Sequence, residues 1–196
     1  MHCSVASQRV SLPTPTSSHD SHPMPHQFRD ACQPDLPGIL ALYNDAVLNS
    51  TAIWNETPVD LENRSAWLRE RQAAGFPVLI ALDAHGTVAG YASYGPWRSI
   101  EGFRHTVEHS LYVRPDQQGR GLGRALLQAL IARAETAGVH VMVAAIDSAN
   151  HASIGLHHSL GFVTCGQMPE VGRKFGRWLD LTLMQRILPA ADSGSL

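Results

Sequence analysis

The spacing of apolar residues along the chain switches repeatedly between a helical and an extended period, starting at about residue 26. Apolar residues at i, i+3, i+4, i+7 and i+8 indicate an amphipathic helix, whereas short runs rich in β-branched and aromatic residues indicate strands. The pattern predicts the element order β-α-α-β-β-β-α-β-α-β-β. This order is typical of an α/β protein, more narrowly an α+β arrangement in which helices cover both faces of a mixed sheet.

The first half of this domain is predicted to contain one short strand, two helices and three further strands. The first helix begins after the N-cap Asp35, has Pro37 in its first turn and ends near Asn49. The second helix ends at Gly75, because glycine readily takes the left-handed conformation that closes a helix. The predicted ranges are 27–31 for the first strand, 36–49 and 61–74 for the helices, and 78–83, 88–94 and 106–113 for the later strands.

The second half is predicted to alternate between helices and strands. A helix with one apolar face begins at Leu122 and ends at Gly138. Residues 139–146 are nearly all apolar, as expected of a strand covered on both faces in the middle of a sheet. The remaining predicted elements are a helix over 148–160, closed by Gly161, and strands over 162–168 and 178–186 on either side of a polar loop that contains Gly172 and Gly176.

Composition and charge narrow the class of protein. A chain of 196 residues that is 44% hydrophobic can bury one substantial core. The formal net charge of −2 is spread over segments of mixed sign, so no nucleic-acid or membrane partner is indicated and a small molecule is expected instead. No apolar run approaches the roughly 20 residues that span a bilayer, and the N-terminus lacks the layout of a signal peptide.

The termini and the cysteines complete this outline. Residues 1–25 are rich in Ser, Pro and His and are predicted to be a disordered tail, residues 26–188 to be the domain, and residues 189–196 to be a short flexible tail. The three cysteines, Cys3, Cys32 and Cys165, are far apart and odd in number, which argues against a disulfide framework or a zinc site. We therefore expect a reducing, cytoplasmic location.

The strongest chemical signal is a glycine-rich segment between a predicted strand and a predicted helix. Such a turn binds phosphate, because glycines let the backbone approach the ligand and the helix start offers free N–H groups. A dinucleotide fingerprint starting at Gly121 would need glycine where Leu126 stands, and the Gly-Lys-Ser/Thr of a Walker A loop is absent. A tight structural turn is the remaining alternative. The segment is Gln118, Gly119, Arg120, Gly121, Leu122, Gly123 and Arg124.

The pattern Gln118-x-x-Gly121-x-Gly123 resembles the pyrophosphate loop of the GCN5-related N-acetyltransferases, the GNAT family. The resemblance runs from Phe28 to Leu188 and is strongest to the branch of phosphinothricin and methionine sulfoximine or sulfone acetyltransferases. It implies the GNAT acyl-CoA N-acyltransferase fold, acetyl-CoA as co-substrate and a homodimer whose C-terminal segments border the partner's active site. The other matching segments are residues 51–58, 90–94, 106–110, 156–162 and 171–178.

The resemblance also suggests which residues perform the chemistry. Acetyl transfer needs a neutral amine, so a base must take a proton from the substrate ammonium group. Glu108, shortly before the glycine loop, is the expected general base, and the alternative is a carboxylate that only orients the ammonium. Many relatives have a tyrosine as general acid at the position of His157. The branch that this chain resembles also has a histidine there. A histidine there can act as an acid or as a base.

The resemblance assigns further residues to the two ligands. The backbone of Leu111, Tyr112 and Val113 is expected to run beside the pantetheine arm, and Asn150 to hydrogen-bond it, with helix capping as the alternative for Asn150. Either Arg98 or Arg104 is expected to hold a substrate carboxylate, with a solvated loop charge as the alternative. Other substrate-contact candidates are Trp54, Phe175 and His109. The alternative for the two aromatic residues is packing in the core, and the alternative for His109 is a solvated position. No metal site is expected.

The combined hypothesis is an acetyl-CoA-dependent N-acetyltransferase. It is expected to acetylate the α-amine of methionine sulfoximine, methionine sulfone or phosphinothricin by direct transfer in a ternary complex, and so to detoxify such compounds. No covalent enzyme intermediate is expected, and Cys165 is predicted to be a small buried side chain. Two alternatives remain: an acetyltransferase acting on peptides or proteins, and a non-catalytic acetyl-CoA sensor.

Overall fold

A computed structural model describes residues 27–189 of the protein. The predicted disordered and flexible tails lie outside these residues apart from residue 189, so the predicted domain limits stay predictions. The predicted order of helices and strands is confirmed, with three short 3-10 turns added. The elements are β1 Gln27–Asp30, α1 Leu36–Asn49, α2 Leu61–Ala73, β2 Val78–Leu82, β3 Val88–Pro96, β4 Thr106–Val113, α3 Leu122–Thr136, β5 Val141–Asp147, α4 His151–Ser159, β6 Val163–Lys174 and β7 Arg177–Ile187.

The strands form one mixed sheet in the order β1-β2-β3-β4-β5-β7-β6. Every neighbouring pair is antiparallel except β4 and β5, which are parallel. The parallel pairing is short: it joins residues 106–108 to residues 141–143, and the strands then part. The sheet is therefore split near its middle, with β4 held by β3 on one side and β5 held by β7 on the other.

Helices pack on both faces of the sheet, as predicted. Successive residues of a strand point to opposite faces, and in β2 Leu79 joins the core under α3 whereas Ile80 joins the core under α1 and α2. The α3 core also contains Leu160 and Phe162, which directly follow α4, so α3 and α4 share one face. Within residues 27–189, each helix is too short or too polar to span a membrane.

The end of the domain differs from the prediction, because the predicted polar loop is mostly strand. Strand β6 continues to Lys174 and pairs with β7 up to Arg177, so the connection is the two-residue turn Phe175-Gly176. Both residues have positive φ, 51° and 74°, which a tight hairpin turn of this length requires. A bulge between Met168 and Gly172 accommodates residues 169–171, which leave the pairing register with β7.

Two smaller predictions near the hairpin are also wrong. Helix α4 starts at His151 and not at Ser148, because residues 148–150 form a turn that ends in the N-cap Asn150. Cys165 is exposed on β6 and not buried, because the residues around it on this edge strand are almost all exposed. Cys32 is the other free thiol in residues 27–189, and it is exposed as well.

Candidate active site

A cleft of about 190 Å³ opens where β4 and β5 part. One wall is β4 from Glu108 to Tyr112, and the other is β5 from Ala144 to Asp147 together with the start of α4. Since the two strands do not pair beyond Glu108, the backbone edges that face each other across the cleft are free to bind a ligand. Ala52, from the loop after α1, closes the cleft on the α1 side.

Glu108 is the last residue of β4 that pairs with β5. Its alternate neighbours Ser110 and Tyr112 share its side of the strand, and Tyr112 packs against the core under α1 and α2. Glu108 therefore approaches the cleft from the α1–α2 face. Burial raises the pKa of the Glu108 carboxyl above its ordinary value of 4.5, and the nearby guanidinium groups of Arg98 and Arg71 oppose this rise.

His157 lies on the opposite face, in α4, and is buried against a second histidine. Its Nε2 atom is 3.0 Å from Nε2 of His109, and its Nδ1 atom is 2.7 Å from the carbonyl oxygen of Ser153. The two imidazole rings stack with centroids 5.0 Å apart, and the Phe162 ring meets both edge-on. Burial lowers the pKa of His157, and burial together with the neighbouring imidazole lowers the pKa of His109 to about 3.

The solvated position considered for His109 is wrong, because the residue is 9% exposed and faces α4. The alternation of the strand could have predicted the burial of His109. Val107 and Leu111 lie two residues away on either side of it and pack in the α3–α4 core. What the sequence could not supply is the contact with His157, which lies 48 residues further along.

The glycine loop has the conformation that a phosphate-binding turn requires. Gly119 and Gly121 have φ values of 72° and 83°, and Gly121 is the N-cap of α3. No atom lies within 4 Å of the position that a side chain at either glycine would occupy, so the backbone is open to a ligand. Gln118 is held by its bond to the Val113 carbonyl, and Arg124 reaches Ser159 of α4 at 2.7 Å.

Two polar side chains on the β5–α4 wall of the cleft are also held by hydrogen bonds. Asn150 caps α4, with its Oδ1 atom accepting from the Ser153 N–H at 3.0 Å, so its capping role is observed. Asp147 uses Oδ1 to accept from Ala149. Among the residues that the structure describes, two buried atoms have no hydrogen-bond partner, Asp147 Oδ2 and His109 Nδ1. Both residues border the cleft, which suits an occupant that carries hydrogen-bonding groups.

The predicted substrate contacts are dispersed. Arg98 is exposed and lies near enough to Glu108 to influence its pKa, whereas Arg104 is exposed in the loop before β4. Trp54 packs on Gly172 of β6, and Phe175 is exposed at the hairpin tip. Neither aromatic side chain borders the cleft within one chain.

Arg71 of α2 is a residue that the sequence analysis missed. Its guanidinium fills the space where a side chain at Gly95 would be, and Gly95 pairs with Glu108 across β3 and β4. A half-buried arginine in a polar helix gives no sequence signal by itself. No group of three or more His, Cys, Asp or Glu residues within 27–189 could hold a metal ion, and the expected independence from metals stays a prediction.

Comparisons with known proteins agree with this geometry. The sequence model of the acetyltransferase (GNAT) family matches residues 39–162. The chain is 68% identical to the L-methionine sulfoximine/L-methionine sulfone acetyltransferase of Pseudomonas aeruginosa, over 83% of this chain and 94% of that protein. It is 43% identical to the phosphinothricin N-acetyltransferase of Alcaligenes faecalis, over 81% of each chain. Its fold matches the yncA protein of Salmonella typhimurium, solved with its cofactor acetyl-CoA, with a TM-score of 0.81 and 54% identity over 88% of this chain and 97% of that one.

Proposed function

Because this chain belongs to the acetyltransferase (GNAT) family, we propose that it acetylates the α-amine of methionine sulfoximine, methionine sulfone or phosphinothricin. The chain is an N-acetyltransferase that acts on small amino-acid-like substrates, with acetyl-CoA as co-substrate. The observation that best supports the proposal is the split between β4 and β5. Glu108 borders this split from one face of the sheet, and the coenzyme-binding candidates border it from the other.

The coenzyme is assigned to the α3–α4 face. The N–H groups of the glycine loop and the start of α3 suit the pyrophosphate, and Arg120 and Arg124 add positive charge. The pantetheine arm carries amide groups, and the open strand edge at Leu111, Tyr112 and Val113 offers it backbone partners. The unpartnered Oδ2 of Asp147 supports this fit, because a buried carboxylate oxygen needs a donor. Asn150 keeps its amide nitrogen for the same ligand while its oxygen caps α4.

Glu108 is assigned as the general base. Its carboxylate takes a proton from the substrate ammonium, directly or through water, and the raised pKa makes it a better proton acceptor than a solvated carboxylate. The amine then attacks the thioester, and the acetyl group passes directly from sulfur to nitrogen. The exposed Cys165 lies on β6, away from the cleft-lining residues, which agrees with a transfer that uses no covalent enzyme intermediate.

The substrate carboxylate is assigned to Arg98, because the charge of Arg98, unlike that of Arg104, influences the pKa of Glu108. We expect Arg98→Gln to raise KM for the amino acid by about 10- to 150-fold, since a hydrogen bond to a charged group contributes roughly 1.5–3 kcal/mol. The KM for acetyl-CoA should stay unchanged. Steady-state kinetics of Arg104→Gln provide the matched comparison, and a larger KM effect there would assign the carboxylate to Arg104.

A homodimer is proposed from the β6–β7 hairpin. This hairpin exposes a set of apolar side chains that a monomer would leave in water, and Trp178 is 60% exposed. We propose that in such a dimer the exposed tip residue Phe175 borders the substrate side of the partner's cleft. The apolar set is Val163, Met168, Val171, Phe175, Trp178 and Ile187.

We expect Trp178→Glu to convert the dimer into a monomer, because a charge would have to be buried in the interface without a partner. Sedimentation velocity at micromolar concentration measures the change. Arg177→Glu, an exposed neighbour in the same strand, serves as the control and should leave the sedimentation coefficient unchanged. A wild-type chain that sediments as a monomer would contradict the proposed dimer.

Detoxification in the cytoplasm is the proposed role. The exposed thiols of Cys32 and Cys165 fit a reducing compartment. Cells that express the protein should grow in methionine sulfoximine or phosphinothricin concentrations that arrest control cells, whereas cells that express Glu108→Gln should not.

The substrate proposal is tested by thiol release from acetyl-CoA over a panel of amines. Methionine sulfone, methionine sulfoximine and phosphinothricin should give the highest kcat/KM, while peptides with free N-termini should give little turnover. N-acetyl methionine sulfone is the blocked-amine control. Preference for a peptide would overturn the substrate class, and release that is independent of any amine would overturn the transfer.

A further inference from the structure

The hydrogen bonds of the buried pair His109 and His157 determine which ring nitrogens carry protons. A carbonyl oxygen only accepts hydrogen bonds, so the 2.7 Å contact with Ser153 means that His157 carries a proton on Nδ1. In a neutral His157 the Nε2 atom is then a bare acceptor. The proton in the 3.0 Å contact between the two Nε2 atoms must therefore belong to His109.

It follows that Nδ1 of His109 is a bare acceptor when both rings are neutral. This atom is buried and has no partner within residues 27–189, whereas the other three ring nitrogens of the pair are all engaged. Leaving such an atom unpaired costs about 1–3 kcal/mol. Because His109 borders the cleft, an occupant of the cleft is the available partner.

We propose that His109 is a further catalytic residue of the acetyl transfer, which carries a proton together with His157 and gives it to the departing sulfur through its Nδ1 atom. This inference rests on the proposed function. It makes His157 a positioning residue, which holds the tautomer of His109 and shares the positive charge of the protonated pair.

The proton balance of the step closes on the pair. Glu108 takes one proton from the substrate ammonium, and the neutral pair takes the second as the nitrogen–carbon bond forms. The carbon–sulfur bond breaks with its electron pair on sulfur, and His109 Nδ1 returns the proton to that sulfur. The pair ends neutral, and Glu108 releases its proton to solvent. The net products are the amide, the free thiol and one proton.

The surroundings of the pair suit a proton that stays only briefly. Burial lowers the pKa of both imidazoles, so the protonated pair is a strong acid toward a thiolate. The Phe162 ring packs against both imidazoles in edge-to-face geometry, and the Ser153 hydroxyl lies 3.4 Å from His157 Nδ1. The neighbouring ionisable group on α4 is the exposed His158, whose charge also disfavours protonation of His157.

Nitrogen-15 NMR of the full chain tests the assigned tautomers of His109 and His157 without any reaction. The ring nitrogen shifts near neutral pH should report His157 protonated on Nδ1 and His109 protonated on Nε2. A resting His109 protonated on Nδ1 would overturn the proposal, whatever the activity of the enzyme.

His109→Gln tests the proton transfer, because the glutamine amide can still donate to His157 Nε2 but cannot carry a proton. We expect kcat to fall by about 10²-fold while the KM for acetyl-CoA changes less than about twofold. The double variant with His157→Gln should lose little more than either single variant, since the two residues act as one unit. The exposed His105→Gln is the control.

The outcomes separate this inference from the proposed function. A wild-type enzyme that fails to acetylate the amino-acid panel contradicts the proposed function. An active wild type with an almost unchanged His109→Gln, or with losses that multiply in the double variant, contradicts the proton-carrying pair alone. Thermal melting and acetyl-CoA titration identify a folded variant, and the NMR result decides the matter if His109→Gln does not fold.

Discussion

Glu108→Gln is expected to lower kcat by about 10²–10⁴-fold, the usual contribution of a general base. Glutamine has nearly the same shape as glutamate, but its amide cannot take a proton from the substrate ammonium. Acetyl-CoA binding should persist, because the coenzyme candidates lie on the α3–α4 face and Glu108 on the α1–α2 face. Thiol release with methionine sulfone and calorimetric titration with acetyl-CoA measure the two quantities separately.

The pH profile provides a second test of the same residue. The base must be ionised to act, so kcat/KM should fall as the pH falls through the pKa of Glu108, and burial places this fall above the ordinary carboxyl value of 4.5. Glu108→Gln should lack this acid limb. Glu101→Gln, an exposed carboxylate in the preceding turn, is the control. An unchanged acid limb in Glu108→Gln would assign the base to another group.

Lys174→Met is expected to destabilise the protein by about 3 kcal/mol, because it leaves the part-buried carbonyl groups of Ser50 and Ile53 without this donor. The Lys174 ammonium is fully buried and donates to Ser50 at 2.6 Å and Ile53 at 2.5 Å, with Ala46 at 3.4 Å. These carbonyls end α1 and begin the loop that carries Ala52, so a cation there also complements the helix dipole. Methionine fills the same volume but can neither donate nor carry charge.

Thermal unfolding measures the effect of Lys174→Met, with an expected fall in Tm of about 6–12 °C for a chain of this size. The exposed Arg177→Met, at the other end of the same turn, should change Tm by no more than about 2 °C. Because Ala52 borders the cleft, the KM for the substrate should rise as well. A Tm within 2 °C of the wild type would mean that solvent satisfies these carbonyls.

The sequence predicted the fold well where local patterns decide. The strand Thr106–Val113 has the expected bounds, and α3 closes just before Gly138 as expected, because strand alternation and helix closure depend on neighbours only a few residues apart. The β6–β7 hairpin was mispredicted for the opposite reason. Residues 172–174 have weak strand propensity, and it is pairing with β7 that holds them extended.

The same distinction applies to the candidate site. By itself the sequence determined the glycine loop, with Gly119 and Gly121 in the conformation that only glycine takes easily, and it determined the family. Only the tertiary structure decided that β4 and β5 part after Glu108, that Arg71 of α2 reaches Gly95, and that His109 meets His157. A turn is specified by the residues within it, whereas a buried contact is specified by all the elements that pack around it.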